Sequence, residues 1–309
     1  MIEMKWKKLG NIFNPQKFDD WNYQFGAVPF VGGIDNNFLK VFFTSRNPQK
    51  NSLLTYGIFD FSKNFELVST SQSPLLDLGA PGTFDSAGTM GCQLTEINGQ
   101  SMLYYQGWNL GVDVPFRNSI GLAFYDAKND QFSKFSTGPI LDRSVHDPCF
   151  VASPHIIQID KNSYLMYYLS CDSWGDDDKG IQHRYNIKIA RSSDGINWSR
   201  DGTIAIDYEN EKEYAFSVPR VLHDSGTYKM WYSYRGSKSS QHYRIGYAES
   251  DNGINWQRDD SMVGIDVSED GWDSEMICYP YVFDHQGERY MLYNGNNYGE
   301  TGFGIAVLI

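Results

Sequence analysis

Several stretches of this 309-residue chain put carboxylates beside indoles, arginines and amides. The densest is Gly271-Trp272-Asp273-Ser274-Glu275, followed by an apolar run to Phe283, a turn over Asp284 to Gly287, and a second apolar run ending at Asn294. In a hairpin the start of the first strand and the end of the second share one edge, so Asp273, Glu275 and Asn294 belong on one surface. Comparable places elsewhere hold Trp21, Asp85, His146 with Asp147, and Tyr214 ahead of first strands, and Arg46, Trp108, Trp174 and Arg235 after second strands. Paired carboxylates can serve as general acid and as base or nucleophile at a glycosidic bond, aromatic faces stack on sugar rings, and arginines and amides bind hydroxyl or anionic groups. The mixture points to carbohydrate chemistry.

The elements that must position these residues repeat. Second strands end in Val41-Phe42-Phe43, Leu103-Tyr104-Tyr105, Met166-Tyr167-Tyr168, Met230-Trp231-Tyr232 and Met291-Leu292-Tyr293, their last aromatics 62, 63, 64 and 61 residues apart. Prolines 29, 154, 219 and 280 precede four of those aromatics by 13 or 14 residues; the second copy has Gly91-Cys92 instead. A third strand follows each hairpin, and a fourth centres on Phe65, Phe132, Trp198 and Trp256. A period of this kind signals a repeat architecture. The fifth copy lacks its fourth strand, and Met4-Lys5-Trp6-Lys7-Lys8 matches the missing one. The expectation is an all-β chain: one domain over 1–309, a five-bladed β-propeller of four-stranded antiparallel blades, the last blade closed by the N-terminal strand. A β-sandwich explains neither the period nor the end-to-end match.

Composition narrows the partners. A net charge of -12 disfavours nucleic acid and anionic membrane surfaces, which need a basic face. No run reaches the ~18 apolar residues of a spanning helix, and the N-terminus lacks the apolar stretch of a signal peptide, so the expected compartment is the cytoplasm. Cysteines 92, 149, 171 and 278 have no metal or disulfide spacing and read as reduced, mostly buried thiols. The six histidines show no zinc-ligand spacing, and no Gly-rich phosphate loop is present, so no cofactor is expected. The partner expected is a small saccharide or sugar conjugate; the oligomeric state is left open.

At this point the chain resembles the five-bladed glycoside hydrolases and fructosyltransferases of families 32, 43, 62 and 68 and the mannoside phosphorylases of family 130. The hairpins Ser192-Ser193-Asp194-Gly195-Ile196-Asn197-Trp198 and Ser250-Asp251-Asn252-Gly253-Ile254-Asn255-Trp256 look like those families' outer strands. Ala152-Ser153-Pro154-His155-Ile156, followed by Tyr164-Leu165-Met166-Tyr167-Tyr168, is similar to a family-43 inner hairpin. The resemblance implies glycosidase activity in an axial funnel; some of those enzymes hold a Ca²⁺ ion or a water column on the axis, which is compatible with this chain but not called for by its residues. Family 43 sets its catalytic acids just ahead of the inner-strand proline; here those positions are Val28, Ser153, Val218 and Tyr279. The acids on offer lie earlier. The roles expected are Glu275 as general acid, Asp85 as base or nucleophile, Asp147 tuning their pKa values, and His146 with Asp273 contacting substrate. Arg46, Arg235, Tyr214, Asn294 and the indoles of Trp21, Trp108, Trp174 and Trp272 complete the expected site. Each acid has an alternative, the capping of a local turn. The function expected is a family-43-like glycoside hydrolase acting on a small or anionic saccharide through paired carboxylates in the axial funnel; the alternative is a sugar-binding propeller without turnover, or a glycosyl transferase or phosphorylase on the same fold.

Overall fold

A computed structural model describes residues 4–17, 24–177, 180–237 and 241–309. The chain is all-β, as expected. After strand β1 (Trp6–Phe13) come β2 (Ala27–Asp35), β3 (Phe38–Arg46), β4 (Ser52–Asp60) and β5 (Glu66–Thr70). A second group is β6 (Gly88–Ile97), β7 (Gln100–Leu110), β8 (Phe116–Asp126) and β9 (Gln131–Lys134). A third is β10 (Phe150–Asp160), β11 (Ser163–Asp177), β12 (Gly180–Ser192) and β13 (Ser199–Ile206). The fourth is β14 (Ala215–Asp224), β15 (Thr227–Arg235), β16 (Arg244–Ser250) and β17 (Gln257–Arg258). Then follow β18 (Cys278–His285), β19 (Glu288–Asn294) and β20 (Phe303–Leu308), on whose free edge β1 pairs antiparallel, Trp6 opposite Leu308. Within each group consecutive strands pair antiparallel.

Period-two alternation explains the doubled aromatics, because neighbours on a strand face opposite sides of the sheet. Tyr105 packs toward the first group while Tyr104 packs toward the third. Tyr168 faces the second group and Tyr167 the fourth. Tyr232 and Trp231 divide in the same way, as do Tyr293 and Leu292, the latter reaching Phe43 of the first group. Every sheet is thus apolar on both faces, and each such buried side chain contributes roughly 1.5–3 kcal/mol. Hydroxyls tie the groups further: Tyr104 donates to the Gly195 carbonyl at 2.6 Å and Tyr167 to that of Gly253 at 2.7 Å, each in the following group's outer turn. Those turns fold locally because the Asp194 and Asn252 side chains accept backbone N–H groups two and three residues ahead. The first strands also touch in sequence: β2 lies against β6, β6 against β10, β10 against β14, β14 against β18, and β18 against β2. Among the described residues no helix is long and apolar enough to cross a membrane.

Candidate functional site

Near the start of every first strand the ladder slips. Between Ala27 and Phe30, Ala152 and His155, Ser217 and Arg220, and Cys278 and Tyr281, three steps on the first strand oppose two on its partner. Proline has no N–H to give the ladder, so an extra residue bulges out there. In the second group Gly91-Cys92-Gln93 makes the corresponding slip. The residue before each proline takes a left-handed conformation, φ 52° at Val28, 50° at Ser153, 48° at Val218 and 54° at Tyr279. For branched and bulky side chains this is strained, on the order of 1–3 kcal/mol each.

The bulged residues line a cavity of about 340 Å³. Aromatic wall comes from Trp108, Phe116, Phe150, Tyr185, Tyr243 and Tyr279, and polar groups from Gln106, Asn118, Ser52, His183, Arg46 and Arg235. Among the described residues no aspartate or glutamate is in the lining. The Arg46 guanidinium lies 4.6 Å from the Phe25 ring centroid, and burial lowers its pKa. Arg235 is stacked among Tyr214, Tyr243 and Tyr298 at 5.2–5.8 Å. Burial opposes the Arg235 charge, yet the surrounding tyrosines leave its pKa raised. Burial first, and the Arg235 charge second, push His183 down to about 4, so it is neutral at physiological pH. The Tyr185 and Tyr243 hydroxyls hydrogen-bond to each other.

The expected acids lie outside this lining. Asp85, Asp147 and Asp273 are at most 2% exposed. Asp85 accepts from Lys134 Nζ on the fourth strand at 2.6 Å and from the Tyr105 hydroxyl on the second at 2.9 Å. Asp147 accepts from Arg200 at 2.7 Å and Tyr168 at 3.0 Å, and Asp273 from Lys8 at 2.7 Å and Tyr293 at 3.1 Å. The fourth group builds the same clamp from two acids: Arg258 binds Glu213 through both terminal nitrogens and also Asp260, which accepts from Tyr232. Burial first, and the adjacent carboxylate next, push Tyr105, Tyr168 and Tyr293 well above the usual phenol range, so each remains a neutral donor. The acids recur because four of the groups use an acid, a tyrosine and a cation to fasten the loop before the first strand, at β6, β10, β14 and β18, across its own sheet.

The remaining expectations divide. Glu275 is exposed, its backbone N–H held by the Asn296 side chain and its carbonyl by Arg244, and it is outside the lining. His146 packs against Gly202 on β13, away from the cavity, and its carbonyl accepts from Lys188. Asn294 is buried and joins the fifth group to the first: it accepts from the Val28 N–H at 2.8 Å and donates to the Gly26 and Gly302 carbonyls. Trp272 packs on Tyr293 at 5.2 Å and closes over Gly295 and Gly304, so it is packing and not a sugar platform. Trp174 packs edge-on or tilted against Phe116, Phe150 and His183 of the wall, and Tyr214 flanks Arg235. Trp21 lies outside the described residues. Of the expected set, Arg46, Arg235 and Trp108 come together in the cavity. The sequence reading missed Phe116, Asn118, His183, Tyr185 and Tyr243, which stand just ahead of third strands or within their first six residues. Those starts open on the same edge as second-strand ends, and that was the signal for them.

Next along the first strands is a ring of Phe30, Gln93, His155, Arg220 and Tyr281. Arg220 is buried, donates to the Cys92 carbonyl at 2.7 Å, lies 3.4 Å from His155 Nδ1, and has no partner for its Nε among the described residues. Burial, then the Arg220 charge, push His155 down to about 3. A Ca²⁺ ion needs a shell of oxygen ligands, so a ring centred on a guanidinium does not fit one. Among the described residues no cluster of His, Cys, Asp or Glu could hold a metal.

No family model matches the chain. Solved structures share its fold. A "Glycoside hydrolase" superposes with a TM-score of 0.77 at 18% identity, over 99% of this chain and 92% of the other. A "thermostable family-43 glycoside hydrolase" gives 0.64 at 18%, covering 92% and 88%. An exo-1,5-alpha-L-arabinanase from a bovine ruminal metagenomic library gives 0.63 at 15%, covering 94% of each. The fold is that of glycoside hydrolases. In sequence the chain is 39% identical over 305 residues, 99% of each chain, to "Uncharacterized protein Rv1502" of Mycobacterium tuberculosis strain H37Rv, and equally to "Uncharacterized protein MT1551" of strain CDC 1551. This chain therefore belongs to the same protein family as Rv1502 and MT1551 of Mycobacterium tuberculosis.

Proposed function

We propose that this chain binds a saccharide at the axis of a single-domain five-bladed β-propeller, with its five four-stranded groups as the blades. One observation carries the reading: where the five first strands bulge together, they and the strands beside them enclose a cavity walled by aromatic rings and edged by amides, hydroxyls and guanidinium groups. Aromatic faces take the apolar face of a sugar ring while the polar edge takes its hydroxyls. A lining without a carboxylate among the described residues favours recognition over hydrolysis by paired acids, which need both carboxyl groups at the scissile bond. Calorimetric titration with a panel of neutral and acidic mono- and disaccharides should give binding that Trp108→Ala weakens about tenfold, the equivalent of about 1.4 kcal/mol. Absence of binding across the panel, or binding indifferent to Trp108→Ala, overturns the reading.

A second reading, turnover of a glycoside, is favoured by Glu275. This exposed carboxylate adjoins Met276, which packs with Phe150, Tyr185 and Tyr243 of the cavity wall. Release of a chromophore from aryl glycosides or aryl uronides that stops in Glu275→Gln would establish it. Undiminished release in that variant would remove Glu275 from the mechanism.

A further inference from the structure

The charges in the cavity say more than its shape. The chain has 38 acidic against 26 basic residues, so partners for its cations are plentiful. Arg200, Arg258 and Arg289 are each bound to buried or half-buried carboxylates. Arg46 and Arg235 are not: among the described residues neither forms an ion pair, although both line the cavity. A guanidinium has five N–H donors. Arg235 gives its Nε–H to the Gln241 carbonyl at 3.1 Å, and the Arg46 guanidinium lies over the face of Phe25 with no hydrogen bond among the described residues. Withdrawing a guanidinium from water without a counter-charge is costly, and a low-dielectric wall focuses the field that remains.

Two further observations point to a ligand. The Ser52 hydroxyl, 1% exposed and on the cavity wall, has no hydrogen-bond partner among the described residues. Gln106, also in the wall, has only weak partners for its side chain among the described residues, Met90 Sδ at 3.8 Å and the Ser153 hydroxyl at 3.4 Å. Tyr279, whose backbone is held in the left-handed region, lines the same cavity as both arginines, and burial keeps its phenol neutral there.

Resting on the saccharide reading above, we propose that the ligand is an anionic sugar: Arg46 and Arg235 take its carboxylate or phosphate, and Trp108 and the tyrosines take its ring. Guanidinium groups suit both oxyanions through paired N–H donors. The cavity volume falls in the range of small-ligand sites. His183, neutral beside Arg235, adds a hydrogen-bonding group without adding charge.

The test uses matched probes on the full chain: glucose, galactose and mannose, each beside its uronate and its 6-phosphate, with inorganic phosphate alone as a further probe. At least one charged sugar should bind about tenfold or more tightly than its neutral parent, an advantage that weakens with added salt. Arg46→Gln and Arg235→Gln should each reduce that advantage, Arg235→Lys should keep part of it, and Trp108→Ala should weaken charged and neutral sugars alike. Thermal unfolding of each variant confirms that it folds. A preference for uronates assigns a carboxylate ligand, and a preference for 6-phosphates a phosphate. Neutral sugars binding as well as their charged partners overturns this inference and leaves the saccharide reading intact. No binding by any sugar overturns both. Inorganic phosphate binding as tightly as the sugar phosphates overturns the inference too, since the ring would then contribute nothing.

Discussion

The cavity and the layer of clamps around it divide the charged residues between them. Asp85, Asp147, Glu213 and Asp273 sit in clamps with Lys134, Arg200, Arg258 and Lys8, while Arg46 and Arg235 face the cavity with no acid beside them among the described residues. The clamps follow the period of the chain, whereas the cavity breaks it. At the bulge, successive groups present Val28, Ser153, Val218 and Tyr279, four positions with three residue types. A residue that recurs with the repeat serves the repeat. The acids recur in four groups and fasten the repeat, whereas Arg46 and Arg235 hold matching places in two groups only and face the cavity, so recurrence of an acid is not by itself evidence of catalysis.

The comparison can be broken by damaging one side and watching the other. The largest effect is expected for Asp147→Ala, which strands the Arg200 charge and the Tyr168 hydroxyl in the interior and should cost about 3–5 kcal/mol. Urea unfolding measures that loss. Saccharide affinity per folded molecule should stay unchanged, and a matching loss of affinity would return Asp147 to the site.

A smaller effect should come from pH. His155 is neutral in the folded chain down to about pH 3, against about 6.5 when unfolded, so below pH 6.5 the unfolded state binds a proton that the folded state does not. Its contribution to stability is therefore intact above pH 6.5 and falls by about 1.4 kcal/mol per unit as pH decreases toward 3. Between pH 6.5 and 4.5, His155→Gln should lose about 2 kcal/mol less stability than the parent chain. Equal losses would mean that His155 is protonated in place. Smallest is Ser153→Gly, which removes a side chain from a left-handed position and should raise stability by about 1 kcal/mol while weakening saccharide binding. Thermal unfolding and calorimetry on the same sample check both halves, and a loss of stability would show that the bulge is unstrained.

Much of the fold was legible because the aromatics ending each second strand report both faces of a sheet at once. Tyr104 with Tyr105, and Tyr167 with Tyr168, sit in adjacent interfaces as alternation requires. The site was less legible. Arg46, Trp108 and Arg235 could be placed because second-strand ends share an edge with first-strand starts. Asp85, Asp147 and Asp273 also begin near that edge, but whether a carboxylate turns inward or back across its own sheet depends on a cation some 50 to 265 positions away, Lys134, Arg200 or Lys8. Nothing local encodes that partner. Phe116, Tyr185 and Tyr243 went unread for a different reason: they sit just ahead of third strands or within their first six residues, and those strands were used to count the repeat and not to populate its open end.

The prolines that put the bulges into the first strands have a kinetic and entropic consequence. A backbone pinned by a proline on one side and by ladder pairing on the other leaves Val28, Ser153, Val218 and Tyr279 little freedom to lose when a ligand arrives. Ordering of the cavity wall is completed during folding, so association should proceed without a slow conformational step and with a small entropic penalty from the protein. Differences in affinity among ligands would then appear mainly in how long each one stays.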